Sequence, residues 1–386
     1  MIRKLLFVSR ALPFHSLGGM EIVSWDLARA VAQQGVEVIF LTTAVPGRER
    51  IFAQDGVTVH TVEAPPGRYS AEWWAQSQRL FRAEYDKRVD GILSVSAGAL
   101  AIANARSGSS PTLLWQAHGT AWGGFRSHIR EMRPKALVKA VIDLRHVAQD
   151  RAYRRFDGIV AVGDTVLRDL DRQPTRFMRG RTSIFLVPNG IAPERFRYDA
   201  SARQNIRARY GLDGRRIVLS VSRLHRQKGI AEGLAGFAFA RRTDPTLHYV
   251  IVGGGPEEQA LRARADDLGV SNHVLFTGVV PRGGLNEWLS AADLFMLTST
   301  GVEGFPTTML EALAAGLPLV ISRHLANERV PAALVDPDVP ESVAGEILSN
   351  TNKTGSRASR LPKQLELDQC AASYIELFSS FLGKPS

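Results

Sequence analysis

The chain has 386 residues, 45% of them apolar and 22% charged, with one cysteine, 34 glycines and a formal net charge of +10. These proportions exclude a disordered chain, a collagen and a disulfide scaffold, and the length provides for about two domains, each able to bury its own core. The charge is uneven: residues 1–188 hold 26 Lys and Arg against 17 Asp and Glu, whereas 189–386 hold 22 against 21, so a polyanionic partner, nucleic acid or an anionic membrane face, would belong to the first half.

The opening MIRKLLFVSR has an apolar run of only four residues, too short for a signal peptide, and it reads as a first strand. No stretch approaches the 18 or more apolar residues of a spanning helix, so an integral membrane protein is not expected and a peripheral one stays open. Cys370 has no partner for an internal disulfide, which fits a reducing compartment, and a cytoplasmic location is expected.

Short β-rich runs then alternate with amphipathic stretches, the pattern of βαβ units around a parallel sheet. The first half offers strands at 5–9, 37–41, 57–62, 91–95, 112–117, 158–162 and 183–187. The second offers 217–221, 248–252, 273–277, 293–297 and 317–321. Two doubly wound sheets follow. Between them VPNGIAPERF breaks at Pro188 and Asn189-Gly190, giving domains 1–188 and 189–362. The polar stretch 350–363 reads as a linker, and 363–386 as a closing helix packed back on the N-terminal domain.

In open α/β sheets ligands lie beyond the carboxyl ends of strands, and five strand-following loops stand out. In SRALPFHSLGGME, Gly18 and Gly19 open a helix where backbone N–H groups would meet an anion, or form a tight turn with no ligand. In WQAHGTAW, His118 would bond a substrate hydroxyl or move a proton, or else bond backbone. In SRLHRQKGI, Arg223 and Lys228 would clamp a diphosphate, Arg as a fork and Lys as a point charge. The run VGGGP lacks the spacing of a dinucleotide fingerprint; Gly253 to Gly255 read equally as a packing turn and a ligand approach before a proline-started helix.

The fifth loop is the most specific. In LTSTGVEGFPTTMLEALAAGLPLVI, a buried strand ends near Thr298, a polar loop carries Glu303, Gly304 and Phe305, and a helix runs from about Thr308 to a stop at Gly316. Glu303 and Glu311 would face one ligand. Thr308 and Glu311 also fit a capping box, in which a carboxylate in the first turn can still accept ribose hydroxyls.

GGME at 18–21, the strand-end His118, VPNGI at 187–191, SRL and KG within 222–229, VGGGP at 252–256 and EGFPTTMLEALAAGLPLV at 303–320 together resemble the retaining, two-domain glycosyltransferases of family four. The last segment satisfies that family's E-x7-E signature through Glu303 and Glu311. The resemblance implies the GT-B fold, α/β with two Rossmann-like domains facing a cleft. It also implies Arg223 and Lys228 on the donor diphosphate, Glu311 on the ribose, and Glu303 by the donor sugar. Backbone around Gly304, Phe305, Pro306 and Thr307 would lie near phosphates or sugar, with Gly18 and Gly19 approaching from the other domain and His118 contacting the sugar. It implies transfer with retained anomeric configuration from a nucleotide diphosphate sugar, UDP- or GDP-linked, with no metal and no other cofactor; fixed cations and helix N-termini would stabilise the leaving group instead. Asp336 to Asp338, a D-x-D, is not read as a metal site. The stretch SRHLANERV departs from the family, lacking its Gly-Gly loop, and Glu328 matches the family's glutamate there only loosely.

The basic surplus peaks at 126–157, with nine Lys and Arg against four acids and aliphatic residues between them, which suits a membrane surface. No nucleic-acid motif accompanies it. A lipid-linked or envelope glycan is therefore the expected acceptor. A soluble acceptor, a nucleotide-sugar binding protein without transfer, and an epimerase of the same architecture are the alternatives.

Overall fold

A computed structural model of the chain describes residues 2–15, 18–106, 110–130, 148–301, 303–351 and 357–382. The chain divides into two compact units, one running to Ile191 and resuming at Gln364, the other spanning Ala192–Lys363.

The first unit holds β1 (Lys4–Val8), β2 (Glu37–Thr43), β3 (Ile51–Gln54), β4 (Val57–Val62), β5 (Gly91–Val95), β6 (Thr112–Ala117), β7 (Gly158–Ala161) and β8 (Ser183–Leu186). They form one sheet in the order β3-β4-β2-β1-β5-β6-β7-β8. Every pairing is parallel except β3 with β4. Leu5 to Val8 are wholly buried, as expected where helices cover both faces of a parallel sheet. One face packs on Trp73, Phe81, Trp115, Tyr153 and Ile159. The other carries the helices Gly19–Gln33 and Leu367–Ser379, which pack on each other.

The strands read from the sequence have no member at 51–54, where the structure forms β3. It pairs antiparallel with β4 through Asp55 (φ 52°) and Gly56 (φ 81°), two residues in the left-handed region as a tight hairpin turn requires. The division between units falls after Ile191 rather than after Pro188. Ile191 donates to the Leu365 carbonyl (3.1 Å) and accepts from the Leu367 amide (2.8 Å), so the start of the last helix holds it to the first unit.

The second unit holds β9 (Arg216–Val221), β10 (Leu247–Val252), β11 (Val274–Gly278), β12 (Leu294–Leu297), β13 (Leu319–Ser322) and β14 (Ala333–Val335), parallel throughout. Their order, β11-β10-β9-β12-β13-β14, reverses direction between β9 and β12. That switch point opens a crevice at the carboxyl ends of these two strands. Phe237, Tyr249, Ile251 and Val343 fill the core on one face. At the opposite, amino end, Asp293 accepts from Arg203 (2.7 Å), Arg207 (2.6 Å) and the Ile217 amide (2.8 Å), tying the helix Ala200–Tyr210 to the starts of β9 and β12.

Candidate active site

In the second unit the loops after β9 and β12, which flank the switch point, are laced together. The chain leaves β9 through a short 3-10 turn, Arg226–Lys228, and enters the helix Ile230–Thr243 at Gly229. Gly229 has φ +65°, and a Cβ there would overlap the Thr298 carbonyl at the end of β12, so only glycine lets the two loops approach this closely. The Thr298 hydroxyl donates to the Gly229 carbonyl (2.7 Å). One carbonyl, that of Gln227, accepts from the Thr300 amide (2.9 Å), the Gly301 amide (3.0 Å) and the Ser299 hydroxyl (2.7 Å).

This lacing brings Lys228 and Glu303 together. Lys228 Nζ lies 2.6 Å from Glu303 Oε1, and Ser299 Oγ is 3.0 Å from the same oxygen. The two side chains are 22% and 13% exposed, sheltered enough for the pair to be strong and open enough for a ligand to compete. His324 Nε2 bonds the Gly301 carbonyl (3.0 Å), bracing the Glu303 loop from the segment after β13.

Arg223, expected beside Lys228, is exposed at the end of β9 and forms no ion pair with a described residue. The helix after the Glu303 loop is Thr307–Ala314, with Pro306 as N-cap and no side-chain cap bond. Two expectations are therefore corrected. Thr308 lies inside the helix and forms no capping box, and Glu311 stands in the second turn, buried, rather than in the first. Thr307 and Glu311 are four apart and share one helix face. Gly304 is half-buried and Phe305 buried, and they lead the Glu303 loop into the helix N-terminus, where the first amides of a helix lack intrahelical partners.

Gly253 to Gly255 answer to packing. A Cβ at Gly253 would overlap the Ser222 carbonyl and one at Gly255 the Leu224 carbonyl, while Leu224 donates to the Gly254 carbonyl (2.9 Å). The following helix begins at Glu258, two residues after Pro256, because Pro256 and Glu257 form a turn first. Asp336 and Asp338 belong to no group of three or more candidate metal ligands among the described residues.

In the first unit the loop after β1 leads to the helix Gly19–Gln33, with Gly18 as N-cap. A Cβ on Gly18 would overlap the Glu21 carboxylate, whereas one on Gly19 meets nothing within 4 Å. Gly18 thus answers to its own helix, and Gly19 borders open space. His118 follows β6. Its Nε2 is 3.0 Å from Gln116 Oε1, and burial pushes the ring down to about 4, so it is a neutral hydrogen-bonding group and not a proton shuttle near neutral pH. Gln116, Ser299, Gln227 and His324 were not singled out from the sequence. Only Gln116 carried a signal there, as the one amide in the apolar strand TLLWQA.

The basic stretch read at 126–157 lies outside the described residues at 131–147. Beyond it, Arg151, Arg154, Arg155, Arg168, Arg172, Arg176 and Arg181 are exposed, and Phe177 among them is 64% exposed with the Arg154 guanidinium 5.8 Å from its ring centre. None of the described helices is long and apolar enough to cross a membrane.

Comparison with known proteins places these features. Residues 17–195 match the family described as Glycosyltransferase Family 4, and residues 202–352 match Glycosyl transferases group 1. A GDP-mannose-dependent alpha-(1-6)-phosphatidylinositol monomannoside mannosyltransferase of Mycolicibacterium smegmatis is 38% identical over 224 residues, covering 53% of this chain and 58% of the relative. Mannosylfructose-phosphate synthase of Agrobacterium fabrum is 34% identical over 181 residues, covering 45% and 39%. The chain thus spans about half the length of the curated relatives it matches. Sucrose-phosphate synthase from Thermosynechococcus elongatus superposes with a TM-score of 0.75 at 18% identity, over 98% of both chains. Anabaena Alr3699/HepE in complex with UDP-glucose does so at 0.71 and 19%, over 98% of this chain and 100% of that one. At such identities these two structures speak to the fold alone.

Proposed function

Since the chain belongs to the family four, group 1 glycosyltransferases, with the GT-B fold, we propose that it transfers a sugar from a UDP- or GDP-linked donor to a lipid-linked or cell-envelope glycan, with retention of anomeric configuration. The Lys228–Glu303 pair at the switch point of the second unit is the observation that carries this reading. A diphosphate arriving there would meet the Lys228 ammonium and the N-terminus of the helix Thr307–Ala314, and both favour negative charge. As the bond from sugar to diphosphate breaks, charge grows on the leaving oxygen. A cation seated at the diphosphate and a helix N-terminus would stabilise that charge.

In this reading Arg223, exposed and unpaired in the described structure, is recruited by the diphosphate as the second cation. Lys228 is drawn from Glu303 toward the donor, and the carboxylate is released to bind sugar hydroxyls and to stabilise positive charge on the ring. Glu311 takes the ribose, and the backbone of Gly304 to Thr307 lies along the phosphates. In the first unit, Gly18 and Gly19 are the proposed donor contacts at a helix N-terminus, with His118 bonding a sugar hydroxyl. No metal has a role in this scheme, since the chain's own cations supply the charge.

The acceptor assignment rests on the arginine-rich face around Phe177, which suits an anionic lipid surface, and on the mycobacterial relative, whose name records a phosphatidylinositol-linked acceptor. A soluble acceptor is the second reading, favoured by the Agrobacterium relative. The test is a panel of UDP- and GDP-sugars in excess chelator, scored by release of nucleotide diphosphate. Release from one donor supports the reading, and loss of all turnover on chelation overturns its metal-free part.

A further inference from the structure

A line of three hydrogen-bonded side chains runs from the C-terminal helix to the end of β6. Tyr374 and Gln116 are each 1% exposed. Gln116 Nε2 donates to the Tyr374 hydroxyl (2.9 Å), and Gln116 Oε1 lies 3.0 Å from His118 Nε2. Alternate residues of a strand share a face. Leu113, Trp115 and Ala117 of β6 enter the apolar core, so Gln116 faces the other way, toward the helix Leu367–Ser379.

Leucine and phenylalanine would fill the two positions without polar groups to satisfy. A buried amide and a buried phenol are costly unless each finds a partner, and here the amide uses its two ends separately, one on each neighbour. The helix is held firmly enough to act as a reference. Cys370 Sγ is 3.3 Å from the Pro188 carbonyl, Gln34 Nε2 donates to the Asp368 carbonyl (2.8 Å), and a Cβ on Gly91 would run into the Phe378 ring.

An amide oxygen only accepts, so in this geometry the proton sits on His118 Nε2 and leaves Nδ1 bare. We propose that Tyr374 is a positioning residue for His118: through Gln116 it fixes the imidazole as the Nε2–H tautomer, so that Nδ1 accepts a hydrogen bond from a sugar hydroxyl. Burial keeps the ring neutral near pH 7, which leaves the tautomer as its one variable. Only the identity of the group that meets Nδ1 rests on the glycosyltransferase reading.

The test is the 15N spectrum of the imidazoles of the whole chain, with His118 assigned by the signal lost in His118→Asn. The wild type should show His118 protonated on Nε2. Tyr374→Phe should convert it to a mixture of tautomers and raise the donor KM roughly fivefold, the value of about one hydrogen bond, with little change in kcat. Ser373→Ala, on the exposed side of the same helix, should leave the spectrum unchanged. If Tyr374→Phe does not fold, Gln116→Met gives the same reading by removing both ends of the amide. A wild-type His118 protonated on Nδ1, or an unaltered tautomer in folded Tyr374→Phe or Gln116→Met, overturns the proposal. A tautomer shift in a protein that turns over no nucleotide sugar supports the relay and counts against the glycosyltransferase reading.

Discussion

Lys228 reaches Glu303 across the switch point because Gly229 and Thr298 bring the ends of β9 and β12 into backbone contact. The ion pair at 2.6 Å is thus a product of topology, with strands three apart in sequence order lying side by side. The Gln227 carbonyl, with its three donors, keeps the two loops in register.

Removing the two members of this pair should have opposite effects on nucleotide binding. Lys228→Met would delete the proposed charge-assisted bond to the diphosphate and should weaken nucleotide diphosphate affinity roughly 10- to 100-fold. Glu303→Gln frees the ammonium and should leave affinity equal or higher. Calorimetry with UDP and GDP distinguishes the two, and equal losses in both variants would mean that the pair is purely architectural.

Gly229→Ala places a Cβ on the Thr298 carbonyl in a left-handed backbone. It should cost about 2 kcal/mol or more of stability. Gly19→Ala meets nothing within 4 Å and should leave the unfolding temperature unchanged, yet weaken donor binding where a ligand needs that space. Thermal unfolding and nucleotide titration of both variants check this contrast.

Asp293→Ala should destabilise strongly without touching the candidate site. The carboxylate holds Arg203, Arg207 and Arg357, and its loss leaves three sheltered guanidinium groups without their counter-ion, a change of about 3 kcal/mol. Unfolding should come earlier by roughly 6 to 12 °C, with nucleotide affinity retained in the folded protein.

His118 gives a signed pH dependence. Burial pushes its folded pKa down to about 4 from the usual imidazole value of about 6.5, so the unfolded chain binds the proton first as the pH falls. The associated stability is complete above about 6.5 and is lost as the pH drops toward about 4. Denaturant titrations at pH 7, 5.5 and 4.5 should show this decline, and it should shrink in His118→Asn. Turnover should show no limb near 6.5 that His118→Asn removes.

The exposed arginines around Phe177 should bind vesicles containing anionic lipid more tightly than neutral vesicles at low salt. Phe177→Ser with Arg172→Glu and Arg176→Glu should abolish that preference, since each surface cation near anionic lipid contributes about 1 kcal/mol. Equal sedimentation with both lipids would remove the membrane as partner.

Much of this was legible in the chain. The apolar runs of the two sheets fall within two residues of the strands formed, because strands buried on both faces have no other composition available. Glu303 and Lys228 were both identified as site residues. Their contact was not, since it depends on β9 and β12 being neighbours, which periodicity does not encode. The hairpin at Ile51–Gln54 carries an Asp-Gly signal, yet its short, half-exposed edge strand lacks the apolar run that marks the others. The capping box failed because Pro306 starts the helix one residue earlier than Thr308 suggested, turning Glu311 inward. Tyr374 lies within the closing helix with nothing in its sequence surroundings to mark it, and only the fold brings it to Gln116.

The most direct test of the central claim is nucleotide diphosphate release by wild type and Glu303→Gln, measured side by side across UDP- and GDP-sugars with lipid-linked and soluble acceptors present. The predicted result is release from one donor by the wild type, reduced about 100-fold in Glu303→Gln while nucleotide binding persists. Release that is undiminished in the variant, or absent for every donor in the wild type, would contradict it.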